Sequence, residues 1–287
     1  MPIEVKKLTH VYMADTPFES RALNEVSLRI EDGEFVGIIG HTGSGKSTLI
    51  SHLNALEKSA PGMVWVNGVD LGEKDVDLAK VRRTVGLVFQ YPEYQLFEET
   101  VAKDIAFGPH NLKLPEEEVQ RRVRNAMQQV GLDAKYAERS PFELSGGQKR
   151  RVAIAGVLAM EPSILILDEP AAGLDPVGRR DMLDLIASIH DRGVTVVMVS
   201  HSMDDVGQLC DRLFVLNHGT IAFSGRPEEV FVHGDELREI GLDVPECTKL
   251  ADLLRKKGFD MPEGVYRMED VRNAILEQLG KGGERTC

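Results

Sequence analysis

Gly40-His41-Thr42-Gly43-Ser44-Gly45-Lys46-Ser47 satisfies the pattern G-x-x-x-x-G-K-[ST], and the unbroken apolar run Phe35 to Ile39 leads into it. Such a run ending at glycine reads as a buried strand, and Lys46 to Leu56 reads as the helix that follows. Few folds accept this order. Backbone N–H groups have to turn inward around a phosphate, which requires glycines, and the next helix must present its positive end to the same group. An accidental match in a chain of ordinary composition is expected roughly once in a hundred. The chain is therefore expected to be an α/β protein, with a phosphate-loop (P-loop) NTPase sheet as its core.

Other segments share this organisation. Ile164 to Leu167 is a second buried strand that ends in Asp168-Glu169, and Val194 to Val199 is a third that ends in Ser200-His201. In an open α/β sheet ligands sit at the carboxyl ends of the strands, so all three are expected to deliver polar residues to one edge. Glu116 to Val130 reads as a helix, with acids in its first turn, Val119, Val123, Met127 and Val130 at helical spacing, and Gly131 after it. It points to a helical subdomain inserted over residues 91–160. Asp175-Pro176 starts a further helix whose apolar face is Met182, Leu183, Ile186 and Ile189. Asn217-His218-Gly219 reads as a hairpin turn. Residues 1–225 are expected to form the main domain and 226–287 a small helical extension, a candidate dimer contact, with helices over Cys247 to Lys257 and Met268 to Leu279.

The loop chemistry needs Lys46 on the β and γ oxygens and the Ser47 hydroxyl on Mg2+, and Thr48 continues the same nucleotide-facing turn. Asp168, at a strand end, is the expected second Mg2+ contact, and Glu169 is placed to orient or deprotonate the attacking water. An acidic surface turn is the plain alternative. His201 lies just outside a helix start that Ser202 and Asp205 would cap, and Gln90 follows the apolar run Val85 to Phe89. Each could reach the γ-phosphate, the water or the metal, although taken alone each is an ordinary polar residue.

Leu144-Ser145-Gly146-Gly147-Gln148 narrows the function most. Ser145 is a natural N-cap and the glycines leave the first N–H groups of the next helix unobstructed, an anion-binding helix end. One phosphate site is already supplied by Gly40 to Ser47. The second most economically serves the nucleotide of a partner chain, with two ATP molecules sandwiched between two subunits. The basic run Lys149-Arg150-Arg151 behind it reads as a solvated helix face.

Composition excludes other classes. The 287-residue chain has 34 Lys and Arg against 46 Asp and Glu, a net charge of -12, which argues against a nucleic-acid backbone as partner. Cys210, Cys247 and Cys287 lack metal-ligand spacing and read as reduced thiols of a cytosolic protein. No apolar run is long enough to span a membrane, so any membrane role requires docking onto other subunits.

With these residues in place, the chain resembles the ATP-binding cassette family over Ile3 to Gly225. The resemblance implies a Walker A at Gly40 to Ser47, a Q-loop at Gln90, a signature at Leu144 to Gln148, a Walker B at Ile164 to Asp168 with Glu169 as catalytic base, a D-loop at Ala172 to Asp175 and a switch histidine at His201. Tyr12 resembles the aromatic residue that stacks on adenine. ATP and Mg2+ are the implied cofactors, met by Tyr12, Gly40, His41, Thr42, Gly43, Ser44, Gly45, Lys46, Ser47 and Thr48, and by Ser145, Gly147, Gln148 and Asp175.

Gly40-His41-Thr42-Gly43 and the stretch Gln90-Tyr91-Pro92-Glu93-Tyr94-Gln95-Leu96-Phe97 further resemble the ATPase subunits of energy-coupling-factor importers of vitamins or transition-metal ions. Thr16-Pro17-Phe18-Glu19 looks like one of the two paralogous ATPases of such a complex. The resemblance implies a second ATPase chain, a transmembrane coupling subunit and a substrate-capture membrane subunit, with this chain peripheral on the cytoplasmic face. Tyr91, Tyr94, Leu96 and Phe97 form a candidate docking surface beside Gln90. A conventional ATP-binding cassette importer or exporter is the competing expectation, whereas a kinase or small GTPase would leave Ser145 to Gln148 idle.

Overall fold

The computed structural model describes residues 3–283, with side chains through 278. Its strands are β1 (Ile3–Tyr12), β2 (Ser20–Ile30), β3 (Phe35–Ile39), β4 (Val64–Val66), β5 (Val69–Asp70), β6 (Val85–Val88), β7 (Ile164–Asp168), β8 (Thr195–Val199), β9 (Arg212–Asn217) and β10 (Thr220–Gly225). Its helices are α1 (Lys46–Leu53), α2 (Leu78–Thr84), α3 (Val101–Asn111), α4 (Glu116–Gln129), α5 (Gly146–Leu158), α6 (Pro176–His190), α7 (Met203–Leu209), α8 (Pro227–Phe231), α9 (Gly234–Glu239), α10 (Glu246–Lys256) and α11 (Met268–Gly283). None is long and apolar enough to cross a membrane. The chain divides into two compact units. The first comprises residues through Leu8, Ser27–Glu34 and Ser47–Val199; the second comprises Thr9–Val26, Phe35–Lys46 and the residues from Ser200 onward.

In the first unit β6, β7 and β8 are parallel neighbours, paired Val85↔Ile164 and Ile164↔Thr195. Their residues are almost uniformly buried, as expected of strands covered on both faces. A second, antiparallel sheet has the order β2-β1-β4-β5. Its first strand does not alternate cleanly: Ile3 and Val5 point inward, then Leu8. Lys7, at φ +45°, shifts the phase by one residue, and Glu25, at φ +52°, sits at the same kind of break in β2.

Helices α3, α4 and α5 pack on one another. Val119, Val123, Met127 and Val130 are all buried, so the spacing predicted for α4 is the face it buries. On the opposite face, Glu118 accepts hydrogen bonds from Arg121 Nε (2.7 Å) and Nη2 (2.6 Å) and from Arg122 Nε (2.7 Å). α1 stops at Leu53, three residues before the predicted Leu56. Ala55 adopts φ +55° and Leu56 N–H donates to Ser51 O at 2.8 Å, a 6→1 closure that ends the helix.

In the second unit β3 and β9 run parallel, and β10 returns antiparallel to β9 through His218 (φ +46°) and Gly219 (φ +76°), the two left-handed residues of a type I′ turn. Beyond β10 the chain is helical, as expected from Arg226 onward, and two short helices, α8 and α9, precede α10 and α11. A separate small core joins Cys247, Ala251, Met261, Val265 and Val271, with Leu254, Phe259, Ala274 and Ile275 packed against it. Cys210 and Cys247 are buried free thiols, and burial raises the Cys210 thiol well above its ordinary value. Cys287 lies outside the described residues.

The hydrogen bonds from Arg121 and then Arg122 hold the Glu118 carboxyl down at about 2 from an ordinary 4.5. A depressed carboxylate stabilises the fold above its unfolded value and loses that contribution as pH falls toward its folded value. The Glu118 contribution is thus expected to be intact above pH 4.5 and to disappear between there and about 2. Acid titration of wild type against Glu118→Gln, followed by circular dichroism, checks this: the two curves should coincide near pH 2, part through the window and be fully separated above pH 4.5.

Candidate functional site

In the second unit β3 feeds a loop that only glycines allow. Gly43 and Gly45 adopt φ +80° and +105°. A Cβ at Gly45 would stand 2.5 Å from the Ala22 carbonyl oxygen, and one at Gly40 would stand 2.4 Å from Ser44 Oγ and 2.5 Å from Leu216 O. Lys46 Nζ donates to Gly40 O (2.6 Å) and His41 O (2.9 Å), so the ammonium is drawn back over the loop. The β9–β10 turn braces this arrangement. Gly219 N–H donates to Ser44 O at 3.0 Å, and His41 lies with Nδ1 2.8 Å from Thr42 O, Nε2 3.2 Å from Asn217 Oδ1 and its ring 4.8 Å from that of His218.

Ser44 is fully buried, yet its Oγ has no partner among the described residues, and there is open space where a Gly43 side chain would stand. A buried hydroxyl without a partner needs an explanation, and a phosphate oxygen in the loop is one that the surroundings fit. Tyr12 is exposed, with its ring edge-on to His10 at 4.4 Å. His201 is also exposed; just before it, Ser200 N–H donates to Ile38 O at 3.3 Å, and just after it Ser202 Oγ caps α7 through Asp205 N–H at 3.3 Å.

In the first unit the parallel run of β6, β7 and β8 puts Gln90 and Asp168-Glu169 at the same edge. Ser47 Oγ lies 3.5 Å from Asp168 Oδ2, the hydroxyl and carboxylate that the sequence leads one to expect on Mg2+. No cluster of three or more His, Cys, Asp or Glu suited to a metal exists among the described residues. A hydroxyl and a carboxylate oxygen side by side suit a hard cation that keeps most of its ligands from water and phosphate. Thr48, in the first turn of α1, is buried. Glu169 sits at φ +51°, a strained conformation for a side-chain-bearing residue, with its N–H donating to Val199 O at 3.0 Å. Asp175 Oδ1 accepts from Gly178 N–H at 2.7 Å and caps α6.

At the start of α5, Ser145 and Gln148 form a full capping box: Ser145 Oγ accepts from Gln148 N–H at 3.4 Å and Gln148 Oε1 from Ser145 N–H at 3.1 Å. Gly146 and Gly147 are exposed with nothing near their Cβ positions. The glycines leave this helix end open, as the sequence implies.

The expectation for Lys149-Arg150-Arg151 fails. Arg150 is 2% exposed, one of the largest fully buried side chains, because α5 turns that side toward Glu93 and the turn after β7. Arg151 also turns back, donating to Val130 O. Acidic Glu93 between aromatic neighbours was the one signal for this burial. The aromatic segment divides: Leu96 packs inside, whereas Tyr94 (84% exposed) and Phe97 (58%) stand out, and Phe107 joins Phe97 at 4.9 Å.

A family model described as ABC transporter matches residues 23–172, which include the loop, Gln90, the Ser145 helix end and Asp168-Glu169. The chain is 54% identical over 279 residues to the energy-coupling factor transporter ATP-binding protein EcfA2 of Clostridium perfringens (strain 13 / Type A), covering 96% of this chain and 98% of that one. This chain belongs to the ABC transporter family. Among solved ABC structures, it is similar to cbiO1 from Clostridium perfringens, described as part of the ABC transporter complex cbiONQ, with a TM-score of 0.73, 36% identity and coverage of 88% and 98%. It is similar also to the dimeric ATP-binding cassette MJ0796 bound to ADP and Pi, with a TM-score of 0.69, 31% identity and coverage of 78% and 98%. The α/β fold with parallel core strands is that of an ABC ATPase.

The loop geometry separates two glycines of this ABC protein. Alanine at Gly43 meets only the left-handed backbone, about 1–3 kcal/mol, whereas alanine at Gly45 must also displace the Ala22 carbonyl. Denaturant titration of the nucleotide-free chain is expected to show Gly45→Ala clearly less stable than Gly43→Ala.

Proposed function

We propose that this chain is an ATP-hydrolysing subunit of an energy-coupling-factor importer and drives uptake of a vitamin or transition-metal ion through membrane partners. The observation that carries it is the likeness to energy-coupling-factor ATPases along nearly the whole chain, with the Ser47–Asp168 pair and Glu169 in place at the strand ends. Residues 1–225 act as the ATPase domain, with helices of the 91–160 region as its helical subdomain, and 226–287 as an extension available to a second ATPase chain.

Gly40 to Lys46 wrap the triphosphate and Lys46 neutralises its β and γ oxygens. Tyr12 stacks on the base. Ser47 and Asp168 are the oxygens that would hold Mg2+, which when bound offsets charge on the β and γ oxygens, and Gln90 reaches the same region. Glu169 accepts a proton from the attacking water, and His201 donates a hydrogen bond toward the γ-phosphate. Ser145, Gly147, Gln148 and Asp175 face the nucleotide of the second ATPase, so closure of the pair depends on the γ-phosphate. Exposed Tyr94, Phe97 and Phe107 beside Gln90 offer the transmembrane coupling subunit an apolar seat, with the substrate-capture subunit reached through it. In this reading the chain is peripheral, on the cytoplasmic face of the membrane.

Isolation of the intact membrane complex and mass spectrometry of its subunits test this reading. A second ATPase with small hydrophobic membrane subunits is expected; a periplasmic or lipoprotein binding partner would assign the chain to a conventional importer. In the same complex, with the partner site disabled, Glu169→Gln is expected to keep ATP binding and lose about 10²–10⁴-fold in turnover, the usual contribution of a general base. Lys46→Ala is expected to weaken ATP binding. Full turnover by the Glu169→Gln complex would remove Glu169 from its role.

A further inference from the structure

Arg150 is a buried charge that the roles above do not use. Its guanidinium forks onto Glu93, with Nε to Oε2 at 3.0 Å and Nη2 to Oε1 at 2.8 Å. Its remaining reach goes to backbone: Nη1 donates to Pro170 O at 3.1 Å and Ala172 O at 2.9 Å. The Tyr91 ring lies 5.9 Å from the same guanidinium, and a Cβ on Gly173 would touch that ring at 3.5 Å. One side chain thus ties together the turn after Gln90, the turn running from Glu169 to Asp175, and the helix that Ser145 caps.

We propose that Arg150 is a positioning residue for ATP hydrolysis, which locks the Gln90–Glu93 turn to the Glu169–Asp175 turn so that the two move as one body. The inference rests on the roles assigned to Gln90, Glu169 and Asp175 above. Stability is a poor reason to bury such a group, since apolar replacements of buried ion pairs are often neutral or stabilising. Geometry is a better one. Tyr91 (φ +54°) and Glu169 (φ +51°) are left-handed residues that each border a segment bonded to Arg150. Such conformations persist only where the surroundings over-determine them. A planar fork with further donors can fix two turns at once, which a lysine ammonium cannot. A displacement of the aromatic segment Tyr91 to Phe97 is thereby passed to the residue after Glu169 without crossing a flexible joint.

The test uses the intact membrane complex carrying wild type, Arg150→Lys, or the double variant Arg150→Met with Glu93→Gln. The double variant removes both charges and keeps the packing, so the test stands even where a single variant leaves a charge stranded and fails to fold. Steady-state ATPase kinetics, Mg-ATP binding and thermal midpoints are measured together. Expected are unchanged Mg-ATP binding and an unchanged KM for ATP, a thermal midpoint near wild type for the double variant, and a kcat lowered about a hundredfold, the scale of an ångström-sized misplacement of a reacting group. Wild-type kcat in the double variant overturns the positioning role, and so does a loss of kcat that only tracks lost Mg-ATP binding or lost folded protein. A wild-type complex that does not hydrolyse Mg-ATP would instead sink the functional reading itself.

Discussion

Concentrated negative charge has to be met by backbone dipoles, and in this chain that requirement fixes the path from β3 into α1. Peptide N–H groups can converge on a phosphate only if the chain reverses through φ values that side chains disfavour, and Gly43 and Gly45 take those values. The neighbours are then committed. Ala22 and Leu216 carbonyls fill the volumes where side chains of Gly45 and Gly40 would stand, and the Gly219 N–H is spent on Ser44 O. The β9–β10 hairpin is thus part of the phosphate loop's support, although it lies far along the sequence.

Around the acidic residues the structure accepts strain where it needs direction. Glu169 leaves β7 in a left-handed conformation, which turns the chain sharply between Asp168 and the α6 cap at Asp175. Tyr91 is left-handed too. Both segments are bound by a side chain from α5, so two strand-end turns of the first unit share one anchor with the helix that Ser145 caps. Its Ser145–Gln148 box holds that tip in shape and leaves the two glycines open.

Much of this was legible in the residues. The loop, the buried strands, the buried face of α4, the Asp175 cap and the I′ hairpin each rest on local rules of spacing and backbone preference, and each stands where those rules put it. The antiparallel sheet was not legible, because strict alternation is broken at Lys7 and Glu25 by residues that give no sign of adopting positive φ. Arg150 was misread for a different reason. A basic run on a helix usually faces water, and the carboxylate that pairs with Arg150 comes from a turn 57 positions away. Long-range pairing of buried charge is a tertiary fact that composition and period do not carry. The distinction between Leu96, which packs inside, and Tyr94 and Phe97, which stand out, likewise depends on how a single 3₁₀ turn, Pro92–Gln95, is rotated.

The small core beneath α10 and α11 has a consequence for the protein's life in solution. Five buried side chains form it and four more pack against them, while Leu250, Leu253 and Leu276 on the same helices remain open to water. A cluster of that size sits at the low end of the range of local opening free energies, so amide protons there exchange sooner than those of the β3–β9 ladder. Any polypeptide that covers those leucines deepens the well.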